Sequence, residues 1–156
     1  MPALGQLIDT AIARLRDASP TPRVDVEALA QHIFGVSRAA LVAATNAAPS
    51  AARTERFLAL IERRRAGEPV AYLTGRREFW SLDLQVSPAV LIPRPETELL
   101  VEQALLHIPV ETSATVFDLG TGSGALALAI AHERPRARVC ATDRARDALA
   151  VAATTA

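Results

Sequence analysis

With 156 residues, 17 basic and 17 acidic side chains, the chain has room for one ordinary domain or two small ones. Its formal net charge of zero gives no global pull towards nucleic acid or a membrane surface. The one cysteine, Cys140, leaves no partner for an internal disulfide, and Asp9, Arg14, Arg16 and Asp17 within the first apolar pattern read as neither signal peptide nor membrane span.

Residues 1–75 read as a small all-α bundle. Leu4, Leu7, Ile8, Ala11, Ile12 and Leu15 recur at helical spacing, and Ser19-Pro20-Thr21-Pro22 ends that helix. A second helix carries Val26, Leu29, Ala30 and Ile33 on one face and stops at Gly35. Ser37 caps a short third helix through about Ala44, with Asn46, the only asparagine, just beyond it. Pro49-Ser50 starts a fourth, with Phe57, Leu58 and Ile61 facing inwards and Gly67 ending it, and Pro69 to Leu73 adds one more turn. Arg63, Arg64 and Arg65 fan out by about 100° each along that helix. They therefore read as a solvated face and not as a stripe for an acidic partner or RNA.

Residues 76–93 switch to a period of two and read as a β-hairpin linker. Trp80, Leu82, Leu84 and Val86 fall on one side and Ser81, Asp83 and Gln85 on the other. Ser87-Pro88 breaks the run and Val90-Leu91-Ile92 resumes it. Pro95 suits the first turn of the next helix, with Glu96 and Glu98 near its positive end. That helix is expected to run to about His107, burying Leu99, Leu100, Leu105 and Leu106. Arg94, Glu96 and Glu98 bring two carboxylates and a guanidinium together, which makes them candidates to line a site.

The run from Val116 to Ala125 carries the most chemistry. An apolar strand ends in an acid, Asp118-Leu119, and breaks into Gly120-Thr121-Gly122-Ser123-Gly124 before an apolar helix. Glycine removes the Cβ where backbone approaches a ligand, and a helix start offers unpaired N–H groups. Nineteen residues past Gly124 a second strand, Ala137 to Thr142, ends in Asp143, which can accept hydrogen bonds from two ribose hydroxyls. Cys140, inside that strand, reads as a buried thiol.

Two cofactor readings fit. Gly120-x-Gly122-x-x-Ala125 satisfies a dinucleotide fingerprint for NAD or FAD, and Gly120-x-Gly122-x-Gly124 fits the tighter loop of S-adenosylmethionine-dependent methyltransferases. Asp118 favours the second, because its charge opposes a pyrophosphate and suits a sulfonium and an amino group. A helical domain before the strand points the same way. His32, His107 and His132 have no partners at metal spacing, so no metal site is expected.

The segments Arg77-Glu78-Phe79-Trp80-Ser81-Leu82 and Val86-Ser87-Pro88-Ala89-Val90-Leu91-Ile92-Pro93-Arg94-Pro95-Glu96-Thr97-Glu98 resemble the release-factor glutamine methyltransferase family. The Pro93 to Glu98 string is far more specific than the glycine loop. The resemblance implies an α/β catalytic part, a class I Rossmann-like methyltransferase incomplete here, preceded by the helical bundle and the hairpin. It assigns 1–75 to a helical substrate-docking domain and 94–156 to the start of the cofactor-binding domain. The cofactor implied is S-adenosyl-L-methionine, with Gly120, Thr121, Gly122, Ser123 and Gly124 near its methionine portion, Asp143 on the ribose and Asp118 orienting the loop or the amino group.

The activity implied is methyl transfer to the side-chain amide of the glutamine in the Gly-Gly-Gln motif of class I peptide chain release factors. The family's catalytic Asn-Pro-Pro-Tyr is absent from these 156 residues, so they read as an N-terminal portion without a complete active site, inactive alone. The alternatives are a non-catalytic cofactor- or partner-binding fragment, a methyltransferase acting on nucleic acid and, more distantly, a dehydrogenase. The cytoplasm is the expected compartment, with release factors as partners and neither membrane nor direct nucleic-acid contact.

Overall fold

A computed structural model describes residues 2–43 and 47–155, and the chain divides into two compact units, Met1–Thr74 and Gly75–Ala156. Ala44 and Asn46 lie outside the described residues.

The first unit is helical: α1 (Leu4–Leu15), α2 (Pro22–Phe34), α3 (Arg38–Ala43), α4 (Ala51–Arg65) and α5 (Val70–Thr74). Pro22 opens α2, where its missing N–H costs nothing, and Gly35 closes it at φ 67°, a conformation only glycine adopts cheaply. Ser50 caps α4 by accepting from the Arg53 amide. Leu15, Val26, Leu29, Phe57 and Ile61 are fully buried in one core, where the Phe34 and Phe57 rings meet at 5.5 Å between centroids.

One reading of this unit needs correcting. Arg64 is not part of a solvated arginine face. Its Nε donates to Asp25 Oδ2 at 2.7 Å, with both side chains largely buried, while Arg63 and Arg65 pair with Glu68 and Glu62 in solvent. The 100° step between neighbours turns the middle arginine inwards. Asp25 Oδ2 also accepts from the Ser19 hydroxyl at 2.7 Å, and Oδ1 from Thr21 Oγ1, so the buried carboxylate is well satisfied.

The second unit contains an antiparallel hairpin, β1 (Arg76–Phe79) and β2 (Leu82–Gln85), followed by a 3₁₀ turn at Pro95–Thr97 and α6 (Glu98–His107). Then come β3 (Thr115–Leu119), α7 (Ala125–Glu133), β4 (Arg138–Thr142) and α8 (Arg146–Thr155), with β3 and β4 parallel in a two-stranded sheet. Parallel strands joined through a helix form the βαβ unit of Rossmann-like folds, so a helical region is followed by an incomplete sheet of that type. Phe79 and Leu84 of the hairpin pack with Val101, Ala125 and Ala129, which makes the hairpin part of this unit's core. Among the described residues no helix is long and apolar enough to cross a membrane.

The second unit departs from expectation in three places. The hairpin turns at Trp80-Ser81, inside the run read as one strand, and Val90-Leu91-Ile92 is not a strand. Both turn residues have positive φ, 53° and 59°, as a type I′ turn requires. Helix α6 buries Val101 and half-buries Leu105, while Leu99, Leu100 and Leu106 stay exposed. Cys140 is exposed, because it shares with Phe117 and Leu119 a sheet face that no described element covers.

Candidate functional site

Strand β3 delivers Asp118 to the start of the glycine loop, and α7 leaves from its end. The loop is held by its own backbone. The Gly120 and Thr121 amides donate to the Thr142 carbonyl at 2.8 and 2.9 Å, so the loop hangs on the last residue of β4. The Gly124 amide donates to the Thr121 carbonyl at 2.9 Å, and the Gly122 amide to Asp143 Oδ2 at 3.0 Å. Four of the five loop amides are therefore engaged inside the protein. Thr121 Oγ1 donates to Asp118 Oδ2 at 2.7 Å, which fixes that carboxylate over the loop.

Gly122 has φ 56°, and a Cβ built on it meets no atom within 4 Å. The protein itself does not demand that space, so the missing side chain leaves a cradle open to an incoming group. Gly124 differs. At φ 84° it heads α7, and a Cβ there would press on Ala152 and Leu128 at 3.2 Å, so it serves helix packing.

The cavity at this loop has a volume of about 160 Å³. Asp118, Gly120, Thr121, Gly122 and Ser123 line it on one side and Leu91, Ile92, Pro93, Arg94 and Thr97 on the other, with Ala125 and Leu126 from α7. That volume is below the roughly 300 Å³ at which pockets begin to enclose a drug-sized ligand, so the cavity holds one end of one.

Of the residues singled out from sequence, the structure brings Asp118, Gly120, Thr121, Gly122, Ser123 and Arg94 to one cavity. Gly124 lies behind it. Asp143 stands beside it as the anchor of the Gly122 amide, and its Oδ1 accepts from the Ala145 amide at 2.9 Å. Those amide donors, Ala145 first and then Gly122, with Arg144 nearby, hold the Asp143 carboxyl below the usual aspartate range. Glu96 is exposed, and Glu98 turns to the backbone of Trp80 in a different cleft. Leu91, Ile92 and Thr97 line the cavity without any sequence signal beyond adjacency to Pro93-Arg94, and a strand over Val90-Leu91-Ile92 would hide the first two.

Residues 6–75 match the PrmC N-terminal domain family and residues 95–156 the methyltransferase small domain family. The release factor glutamine methyltransferases of Salmonella typhimurium and Escherichia coli are each 51% identical over 142 residues, 91% of this chain and 50% of theirs. That of Xylella fastidiosa is 52% identical over 153 residues, 98% of this chain and 54% of its own length. Over the span it covers, the chain is similar to release factor glutamine methyltransferases. It spans about half the length of the curated relatives it matches. A methyltransferase small domain implies S-adenosylmethionine as methyl donor, and an open glycine cradle flanked by a carboxylate and a guanidinium suits its zwitterionic amino-acid end.

Proposed function

We propose that this chain supplies the cofactor half-site, and residues 1–75 the release-factor docking surface, of an enzyme that methylates a glutamine side-chain amide in class I peptide chain release factors. The glycine loop carries the reading. A pyrophosphate cradle needs free loop N–H groups, whereas here the Gly120, Thr121, Gly122 and Gly124 amides are bonded internally and Asp118 sets a negative charge over the loop. That arrangement disfavours NAD or FAD and favours a cationic, amino-bearing ligand. The names of the relatives supply the acceptor.

When bound, S-adenosylmethionine supplies a methyl group on a positively charged sulfur, open to in-line displacement by the acceptor nitrogen. The task of this chain's residues is to place that end. Asp118, oriented by Thr121, would accept from the ligand's ammonium group. Arg94, an exposed residue of the cavity lining, would pair with its carboxylate. The Gly122 cradle would leave room for the chain between them. Asp143, which accepts from the Gly122 amide on one oxygen and from the Ala145 amide on the other, has acceptor capacity left for the ribose hydroxyls. A cytoplasmic location follows from a release-factor substrate.

Calorimetric titration with S-adenosylmethionine and with NAD tests this reading. Micromolar binding of the first, none of the second, and at least a roughly tenfold loss in Gly122→Ala are the expected results, because alanine fills the cradle and must hold a left-handed conformation. A folded chain that binds NAD and not S-adenosylmethionine would refute it.

A further inference from the structure

We propose that Trp80 is a positioning residue for the cofactor cavity, acting through Glu98 and Glu133 on the two helices that wall it. The inference rests on the cofactor reading above for its consequence and on the turn geometry for its substance.

Two positive-φ residues in a two-residue hairpin call for Asn-Gly or its like, because a Cβ is disfavoured there. This chain places a tryptophan and a serine instead, at φ 53° and 59°. Three carboxylates hold them. The Trp80 amide donates to Glu98 Oε1 at 3.0 Å, the Trp80 indole Nε1 to Glu133 Oε1 at 2.8 Å, and the Ser81 amide to Glu78 Oε1 at 2.8 Å. A disfavoured backbone beside three like charges persists only where the surroundings over-determine it. A stable hairpin alone does not require either feature.

The two long-range partners sit at informative places. Glu98 is the first residue of α6 and directly follows the Pro95–Thr97 turn, so it fixes the segment whose Arg94 and Thr97 line the cavity. Glu133 is the last residue of α7, whose first residues Ala125 and Leu126 line the cavity's other side. One residue is therefore bonded through its backbone amide to the start of one wall and through its indole to the far end of the other. Next to Glu133, Arg134 Nη2 donates to the Leu105 carbonyl of α6 at 2.9 Å, closing a frame in which neither helix shifts alone.

The test compares hydrogen exchange in the full chain with that of three variants, alongside circular dichroism and titration with S-adenosylmethionine. Glu98→Ala is expected to speed exchange of amides 94–101 by about tenfold or more, with the helical unit unchanged. Glu98→Gln keeps an acceptor for the Trp80 amide and restores the wild-type rates. Trp80→Phe keeps an aromatic ring but loses the bond to Glu133, and is expected to loosen the end of α7. The E98A change also weakens cofactor binding several-fold. Wild-type exchange across 94–101 in E98A, or a Gln variant as loose as the Ala one, overturns the proposal. Should the wild-type chain not bind S-adenosylmethionine at all, the cofactor reading fails while the exchange comparison still decides the positioning role.

Discussion

Among the described residues, the helical unit leaves Val24 and Val42 as its exposed large apolar side chains, whereas the second unit leaves Leu91, Leu99, Leu100, Leu106, Val110, Phe117 and Leu119. Both units have fully buried cores, so composition does not separate them. Topology does. A helix satisfies its own backbone and needs only a neighbour for one stripe, and α1, α2 and α4 supply one another with that neighbour. A parallel sheet is stable when both faces are covered, and the two strands here have a face on which Phe117, Leu119 and Cys140 meet solvent. The first unit closes its apolar core among its own helices, and the second leaves one sheet face bare among the described residues.

The largest consequence concerns autonomy. In the 156-residue polypeptide, amides of α1, α2 and α4 should outlast those of β3 and β4 in hydrogen exchange by roughly two orders of magnitude. Residues 1–74 made alone should keep a cooperative helical melt, and residues 75–156 made alone should not. Equal protection in both units would break the comparison.

A pair of phenylalanines sharpens it. Phe57 is fully buried against Phe34, so Phe57→Ala should cost about 3–5 kcal/mol and threaten the fold of the helical unit. Phe117 is 64% exposed, and Phe117→Ala should stay within about 0.5 kcal/mol. Chemical denaturation of the two variants reads both. A penalty above about 2 kcal/mol at Phe117 would mean that something covers the sheet face in solution.

The same division explains what the sequence made legible. Helical period, a start signal at Ser50 and a stop signal at Gly35 located the bundle, and the three glycines between two short strands located the cavity. Periodicity failed where it had to report a partner and not a pattern. It shows that α6 is apolar on several sides, but not that Val101 and Leu105 alone find neighbours. It places Cys140 in an apolar strand and so reads it as buried, whereas the thiol is exposed. The Trp80-Ser81 turn was hidden for another reason. Its positive φ values are imposed by Glu78, Glu98 and Glu133, the last of them 53 positions away, and no local turn residue announces them. Arg64 was misplaced similarly, since its partner Asp25 is 39 residues upstream.

The smallest expected effect is an absence of change, and it tests whether the loop is as self-contained as its hydrogen bonds suggest. Asp143 holds the Gly122 amide, and amide donors from Ala145 and Gly122 lower its proton affinity in the folded chain. A carboxyl lowered on folding contributes above its unfolded value, about 3.9, and loses that contribution only as pH falls through the still lower folded value. S-adenosylmethionine affinity should therefore show no Asp143-dependent change between about pH 8 and pH 5, well above both values. Asp143→Asn, which replaces an ionised acceptor with a neutral amide, should weaken binding by a similar factor at every pH in that window. A wild-type affinity that falls steadily from pH 7 to pH 5 while the Asn variant stays flat would place the Asp143 titration far higher than its amide donors allow. The loop would then be open in solution, and the second unit less well formed even at the strand ends where its hydrogen bonding is most complete.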